Sequence, residues 1–253
     1  MRVITPPGVF QPRSDTWMLV DAVRRATLPP RATALDLCTG SGAVAVAIAQ
    51  RGVRSVTAVD THRRSTWAAQ LNARINGVRV RGLQGDLFEP VAGRRFDLIT
   101  ANPPYLPVPP DSPLQRGDRA WNAGENGRAV IDRIIARLPE HLAPGGSVVL
   151  VQSSITGTRE TLEHLSDVGL EPTIVERRRG PLGKLLAARV DYLISEGLLR
   201  GPRLEEEVLV IAAQYARMRA GLRSLRSGES GRISLLHGVR SAAGLPARLQ
   251  AYS

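Results

Sequence analysis

An α/β fold with a doubly wound, mostly parallel sheet of seven strands is predicted by three observations. Short β-rich runs alternate with helical stretches from residue 34 to 151, two glycines join the first buried run to a helix, and an aspartate closes the second run. The strands read at 34–37, 55–59, 79–84, 96–100 and 147–151, and glycine, proline or aspartate lies close after most of them. Residues 128–142 place Val130, Ile131, Ile134, Ile135 and Leu138 at helical spacing, and Pro144-Gly145-Gly146 stops that helix before the next strand. Two more strands fall at 173–175 and 207–212. Between them lies an insert, 177–206, with an apolar helix-like stretch at 185–199.

With 253 residues and 43% hydrophobic composition the chain buries a full core. The expected organisation is a leading segment 1–30, a domain 31–214 carrying the insert 177–206, and a basic tail 215–253. The chain holds no apolar run of membrane-spanning length, and residues 1–10 lack the build of a signal peptide, so a cytoplasmic protein is expected. Cys38 is the only cysteine and the four histidines show no ligand-like spacing, so no metal site is expected.

The formal net charge is +11, and arginine supplies all the basic residues but Lys184. Arginine in place of lysine is what a GC-rich genome produces, but codon bias does not explain an excess of charge. From Arg217 onward seven arginines face Glu229 alone, so the excess concentrates in the tail. Arginine pairs bidentately with phosphate, and ribosomal or other RNA is the partner this implies.

The run Leu35-Asp36-Leu37-Cys38-Thr39-Gly40-Ser41-Gly42 fits a nucleoside cofactor. Gly40 and Gly42 are expected to let the ligand approach backbone and helix start. Asp60, which ends the second strand, is placed to accept the hydroxyls of a ribose, with Thr61 beside it. Gly40-x-Gly42-x-x-Ala45 also satisfies a relaxed dinucleotide fingerprint, which admits a nicotinamide oxidoreductase. Two features favour S-adenosylmethionine. Asp36 suits anchoring of the loop and a cationic amine, whereas it would repel a pyrophosphate. Gly85-Asp86-Leu87-Phe88 offers a carboxylate to the adenine amino group and an apolar side chain to its face.

After the fourth strand comes Asn102-Pro103-Pro104-Tyr105. Two prolines remove two backbone donors, so the loop presents carbonyls, an amide and an aromatic face. Such a surface accepts from a planar –NH₂, through the Asn102 side-chain oxygen and the Pro103 carbonyl, and Tyr105 can stack on the planar group. An amide nitrogen is a poor nucleophile, so positioning must carry the catalysis; orientation supplies roughly 7–11 kcal/mol in favourable cases.

With these residues together, the chain resembles the HemK-like class I methyltransferases, which modify a glutamine side-chain amide in peptide chain release factors. The resemblance runs from about residue 8 to 212 and includes Gly8-Val9-Phe10-Gln11-Pro12-Arg13-Ser14-Asp15-Thr16, similar to a family segment lying over the cofactor. Residues 120–128 with Asp132 and Arg133 are similar to the short archaeal and eukaryotic branch, which lacks the helical substrate domain of the bacterial enzymes. The resemblance implies S-adenosylmethionine as cofactor, with Gly40 and Gly42 at its methionine part, Thr16 near its carboxyl end, Asp60 at the ribose, and Asp86 with Leu87 at the adenine. Cys38 and Thr39 of the loop, and Asn102, complete the expected cofactor contacts. Asn102, Pro103, Pro104 and Tyr105 would hold the acceptor nitrogen. A small activator protein accompanies the short eukaryotic enzymes and is a further partner implied.

The same loop serves enzymes that methylate the amino group of adenine, so N6-adenine methylation of rRNA or DNA is the alternative. A base methylase must also extract its target from a stack, for which the tail offers little protein. A catalytically silent RNA-binding scaffold is a third reading, opposed by the intact set Asp36, Asp60, Asp86 and Asn102.

Overall fold

A computed structural model describes residues 1–110, 112, 123–199 and 204–215. The expected basic tail lies outside the described residues but for its first residue, Tyr215. Seven strands form one sheet: β1 (Thr33–Leu37), β2 (Ser55–Asp60), β3 (Arg81–Gln84), β4 (Phe96–Ala101), β5 (Leu142–Ser153), β6 (Leu170–Pro181) and β7 (Glu205–Tyr215). Their order is β3-β2-β1-β4-β5-β7-β6. The first five run parallel, and β7 is antiparallel to both β5 and β6. This is the doubly wound, mostly parallel seven-stranded sheet that the sequence predicts.

Helices cover both faces because alternate residues of each strand point to opposite sides. On one face Leu35, Leu37, Val148, Leu150 and Ile211 meet Ile131, Ile134, Ile135 and Leu138 of α4 (Ala129–His141), and Leu165 of α5 (Thr158–Asp167). On the other, Ala34, Val56, Leu98, Val149 and Val151 meet α1 (Ser14–Arg25), α2 (Ala43–Ala49) and α3 (Arg63–Ile75). α1 belongs to this core through Met18, Leu19, Val20 and Val23, all fully buried. Asp15 in its first turn and Arg24 and Arg25 in its last complement the helix dipole.

The stretch expected as an insert from residue 177 begins as strand. In the register Arg177 of β6 faces Leu209 of β7 and Arg179 faces Glu207, and the two arginines reach diagonally to form ion pairs with Glu207 and Glu205 at 3.4 and 2.8 Å. The arginine run is therefore one side of a charged ladder, and the connection proper is 182–204. Its helix-like stretch is two short helices, α6 (Lys184–Ala187) and α7 (Val190–Ser195). Leu186, Leu193 and Leu199 bury against Leu106 and Ile155, which sets the connection beside the loop that follows β4. Trp67 is 55% exposed on α3.

Candidate active site

In this sheet the strand order reverses between β1 and β4, and a crevice opens at their carboxyl ends. A cavity of about 390 Å³ occupies it. The loop after β1 contributes Cys38 and Gly40, the end of β2 contributes Val59, Asp60 and Thr61, and the turn after β3 contributes Asp86 and Leu87. Asn102, Pro103, Pro104 and Tyr105 line the same cavity from the end of β4. Residues as far apart in sequence as Cys38 and Tyr105 thus share one wall system, because parallel strands put all their loops at one end.

Two non-glycine residues there hold left-handed backbone: Cys38 at φ 54° and Leu87 at φ 47°. Each costs roughly 1–2 kcal/mol, and such strain concentrates at ligand sites. Burial, with Asp60 and Asp36 nearby, pushes the Cys38 thiol far up, so it stays a neutral wall residue.

Asp60 organises the first loop. Its Oδ2 accepts from Gly40 N at 2.9 Å and its Oδ1 from His62 N at 2.9 Å, while further lone pairs remain for a ligand. Asp86 pairs with Arg133 of α4, which also lines the cavity. That ion pair and the neighbouring carboxylates raise the Arg133 affinity for its proton.

Four of the expected cofactor residues do not line the cavity, and each has a structural occupation. Asp36 is 1% exposed and accepts from the hydroxyls of Thr39 at 2.6 Å and Thr100 at 2.7 Å. It anchors the loop, as expected. Burial pushes its carboxyl up to about 6, against the pull of those two hydroxyls. Thr39 is the other half of that clasp. Gly42 is required by packing: a Cβ there would sit 2.5 Å from Ala69 of α3, at φ +81°. Thr16 is buried and holds Asn102, whose Nδ2 donates to Thr16 Oγ1 at 3.0 Å.

The loop after β4 is held from several sides. Tyr105 donates its hydroxyl to Asp15 Oδ2 at 2.8 Å, and burial with the adjacent Asp15 pushes its pKa well above the ordinary value. The tyrosine is thus a neutral ring with its oxygen tied back. Ala123 N donates to Leu106 O, and Val108 N to Gly124 O, both at 3.0 Å. Gly127 packs so close that a Cβ would lie 2.5 Å from the Tyr105 carbonyl. Arg128, buried, donates to the Thr156 and Gly157 carbonyls and to Thr161, and pairs with Asp132 at 2.6 Å. The segment 123–133 is therefore the buttress of the Asn102 loop.

Arg133, Asp15 and Phe10 are cavity residues that motif reasoning did not assign. Asp15 was legible only as part of the segment 8–16, and Arg133 only as a motif partner of Asp132.

Comparison with known proteins agrees with this geometry. A family profile described as "Methyltransferase small domain" matches residues 1–109. The chain is 33% identical over 181 residues to a putative protein N5-glutamine methyltransferase, MJ0928, of Methanocaldococcus jannaschii, covering 71% of this chain and 90% of that protein. It is 39% identical over 151 residues to the release factor glutamine methyltransferase of Geobacter sulfurreducens, of which it spans only 52%. Among solved structures, the E. cuniculi Mtq2-Trm112 complex, described as responsible for methylating the eRF1 termination factor, matches with a TM-score of 0.57 at 22% identity, over 83% of this chain and 99% of that one.

Proposed function

Since the chain belongs to the HemK-like family of S-adenosylmethionine-dependent methyltransferases, we propose that it methylates the side-chain amide nitrogen of a glutamine in a peptide chain release factor. The observation that carries this is the meeting of two half-sites in one cavity: Asp60, Asp86 and Leu87 on one side, Asn102 to Tyr105 on the other. The archaeal relative, 90% of which is matched by this chain, bears the name of a putative protein N5-glutamine methyltransferase, which supports the acceptor.

The cavity suits the cofactor. Asp60 offers carboxylate lone pairs to ribose hydroxyls, Leu87 and Val59 supply apolar walls, and Asp86 brings a carboxylate to the same cavity, suited to an amino group. Its volume is in the range of small-molecule sites, roughly 300–1,000 Å³. When bound, S-adenosylmethionine supplies a methyl group on a sulfonium whose sulfur leaves as a neutral thioether. The protein's part is placement: Asn102 Oδ1 and the Pro103 carbonyl each accept one N–H of the acceptor, the Tyr105 ring covers its plane, and one proton of the methylated nitrogen passes to solvent.

Two partners complete the proposal. The arginines of residues 217–253 are suited to RNA near the site of action, and a salt-sensitive RNA affinity lost with that segment would support this contact. A small activator is the second, because a structure of like fold is a complex with Trm112. Action within the cytoplasm follows from a release factor acceptor, and among the described residues no helix is long and apolar enough to cross a membrane.

Mass spectrometry of a release factor after incubation with enzyme and cofactor tests the acceptor. One added methyl localised to the glutamine side chain supports the proposal; a methyl on another residue, or none, overturns it.

A further inference from the structure

We infer that Asp15 and Thr16 fix which end of the Asn102 side-chain amide faces the acceptor, making them positioning residues for methyl transfer. The inference rests on the acceptor reading above and supplies the orientation that reading needs. Both residues sit in the first turn of α1, 5% and 6% exposed, far in sequence from the loop they govern.

A carboxylate accepts only. Asp15 Oδ1 takes the Thr16 backbone N–H at 2.6 Å and the Thr16 hydroxyl at 3.2 Å, while Oδ2 takes the Tyr105 hydroxyl at 2.8 Å. With its one proton committed to Asp15, Thr16 Oγ1 offers only lone pairs. These accept from Arg13 N at 3.3 Å and from Asn102 Nδ2 at 3.0 Å. The amide is thereby turned nitrogen-inward, and Oδ1 is the end left for the cavity that Asn102 lines. That is the polarity an –NH₂ acceptor requires. In the reversed amide, Oδ1 would take the Thr16 proton, Asp15 would lose a donor, and two –NH₂ groups would face each other. The same carboxylate ties Tyr105, so one buried group sets both the hydrogen-bonding and the stacking parts of the loop.

The sequence suggests instead that Thr16 touches the cofactor, and the two roles separate kinetically. Turnover at saturating cofactor and acceptor, and cofactor affinity by calorimetry, are compared for the unmodified protein, Thr16→Val, Thr16→Ser and Asp15→Asn. Thr16→Val should lower kcat by roughly 10- to 100-fold, the range expected when a buried polar group is left mispaired. Cofactor Kd should stay within about threefold, and Thr16→Ser should recover most of the turnover. Asp15→Asn, which replaces the charged acceptor with a neutral one, should give a smaller loss in kcat. If Thr16→Val raises cofactor Kd and leaves kcat intact, or if Thr16→Ser is as slow as Thr16→Val, the inference is wrong; should Thr16→Val not fold, full kcat in Asp15→Asn overturns it. The comparison is made on whichever acceptor the unmodified protein labels. A failure of the glutamine reading therefore appears in the unmodified protein, and a failure of the polarity inference only in the ratio of variants to it.

Discussion

Replacing Asp36 with asparagine should erase a pH dependence of stability that the unmodified protein carries between about pH 4 and pH 6. The carboxyl is 1% exposed, and burial raises its pKa from 3.8 to about 6 even though Thr39 and Thr100 donate to it. The folded protein therefore holds this proton more tightly than the unfolded chain does. Below about pH 4 both states are protonated and the group contributes its full stability. As pH rises the unfolded chain ionises first, and the folded state loses up to about 3 kcal/mol by the time pH passes 6, at about 1.4 kcal/mol per tenfold in proton affinity. Asparagine keeps the shape and cannot ionise. Urea unfolding at about pH 4 and pH 7 measures the effect, read as the difference between variant and unmodified protein so that other carboxylates cancel. That difference should shift toward the variant by about 3 kcal/mol at the higher pH. An unchanged difference would refute the buried, desolvated carboxylate on which the loop geometry is argued.

Gly42→Ala should destabilise the fold by about 2–4 kcal/mol, from left-handed backbone together with a 2.5 Å clash on Ala69, as thermal or urea unfolding would show. Asn102→Ala should cut kcat by roughly 100-fold or more with cofactor Kd nearly unchanged, whereas Asp60→Ala should weaken cofactor affinity by roughly 10- to 100-fold, both read by calorimetry beside turnover. A comparable loss of cofactor binding in Asn102→Ala would undo the assigned division of labour. Tyr105→Phe should retain more turnover than Tyr105→Ala, because only the second removes the ring that lines the cavity.

The elements legible from sequence were those whose signal is local. The glycine loop, Asp60, Asp86-Leu87 and Asn102 to Tyr105 each combine a strand end with a residue type that its chemistry demands, and the structure gathers all four stretches around one cavity. Residue-level roles within the first loop were less legible. The spacing of Gly42 is the same whether a ligand or Ala69 excludes its Cβ, and Asp36 reads alike as an amine contact or as a buried clasp. The lengths of β6 and β7 were missed because Arg177 to Arg179 and Glu205 to Glu207 carry no apolar alternation; their pairing is a nonlocal match of charge. Asp15 and Arg133 were missed for the same kind of reason. Each acquires its role from a partner on another element, Tyr105 for the one and Asp86 for the other.

Transfer of labelled methyl from S-adenosylmethionine tests the central claim most directly, with a release factor bearing an intact glutamine loop set beside its Gln→Ala version and a panel of RNA and DNA. Label is expected on the intact protein alone. Label on nucleic acid with none on the release factor would contradict it and assign the Asn102 loop to the amino group of adenine.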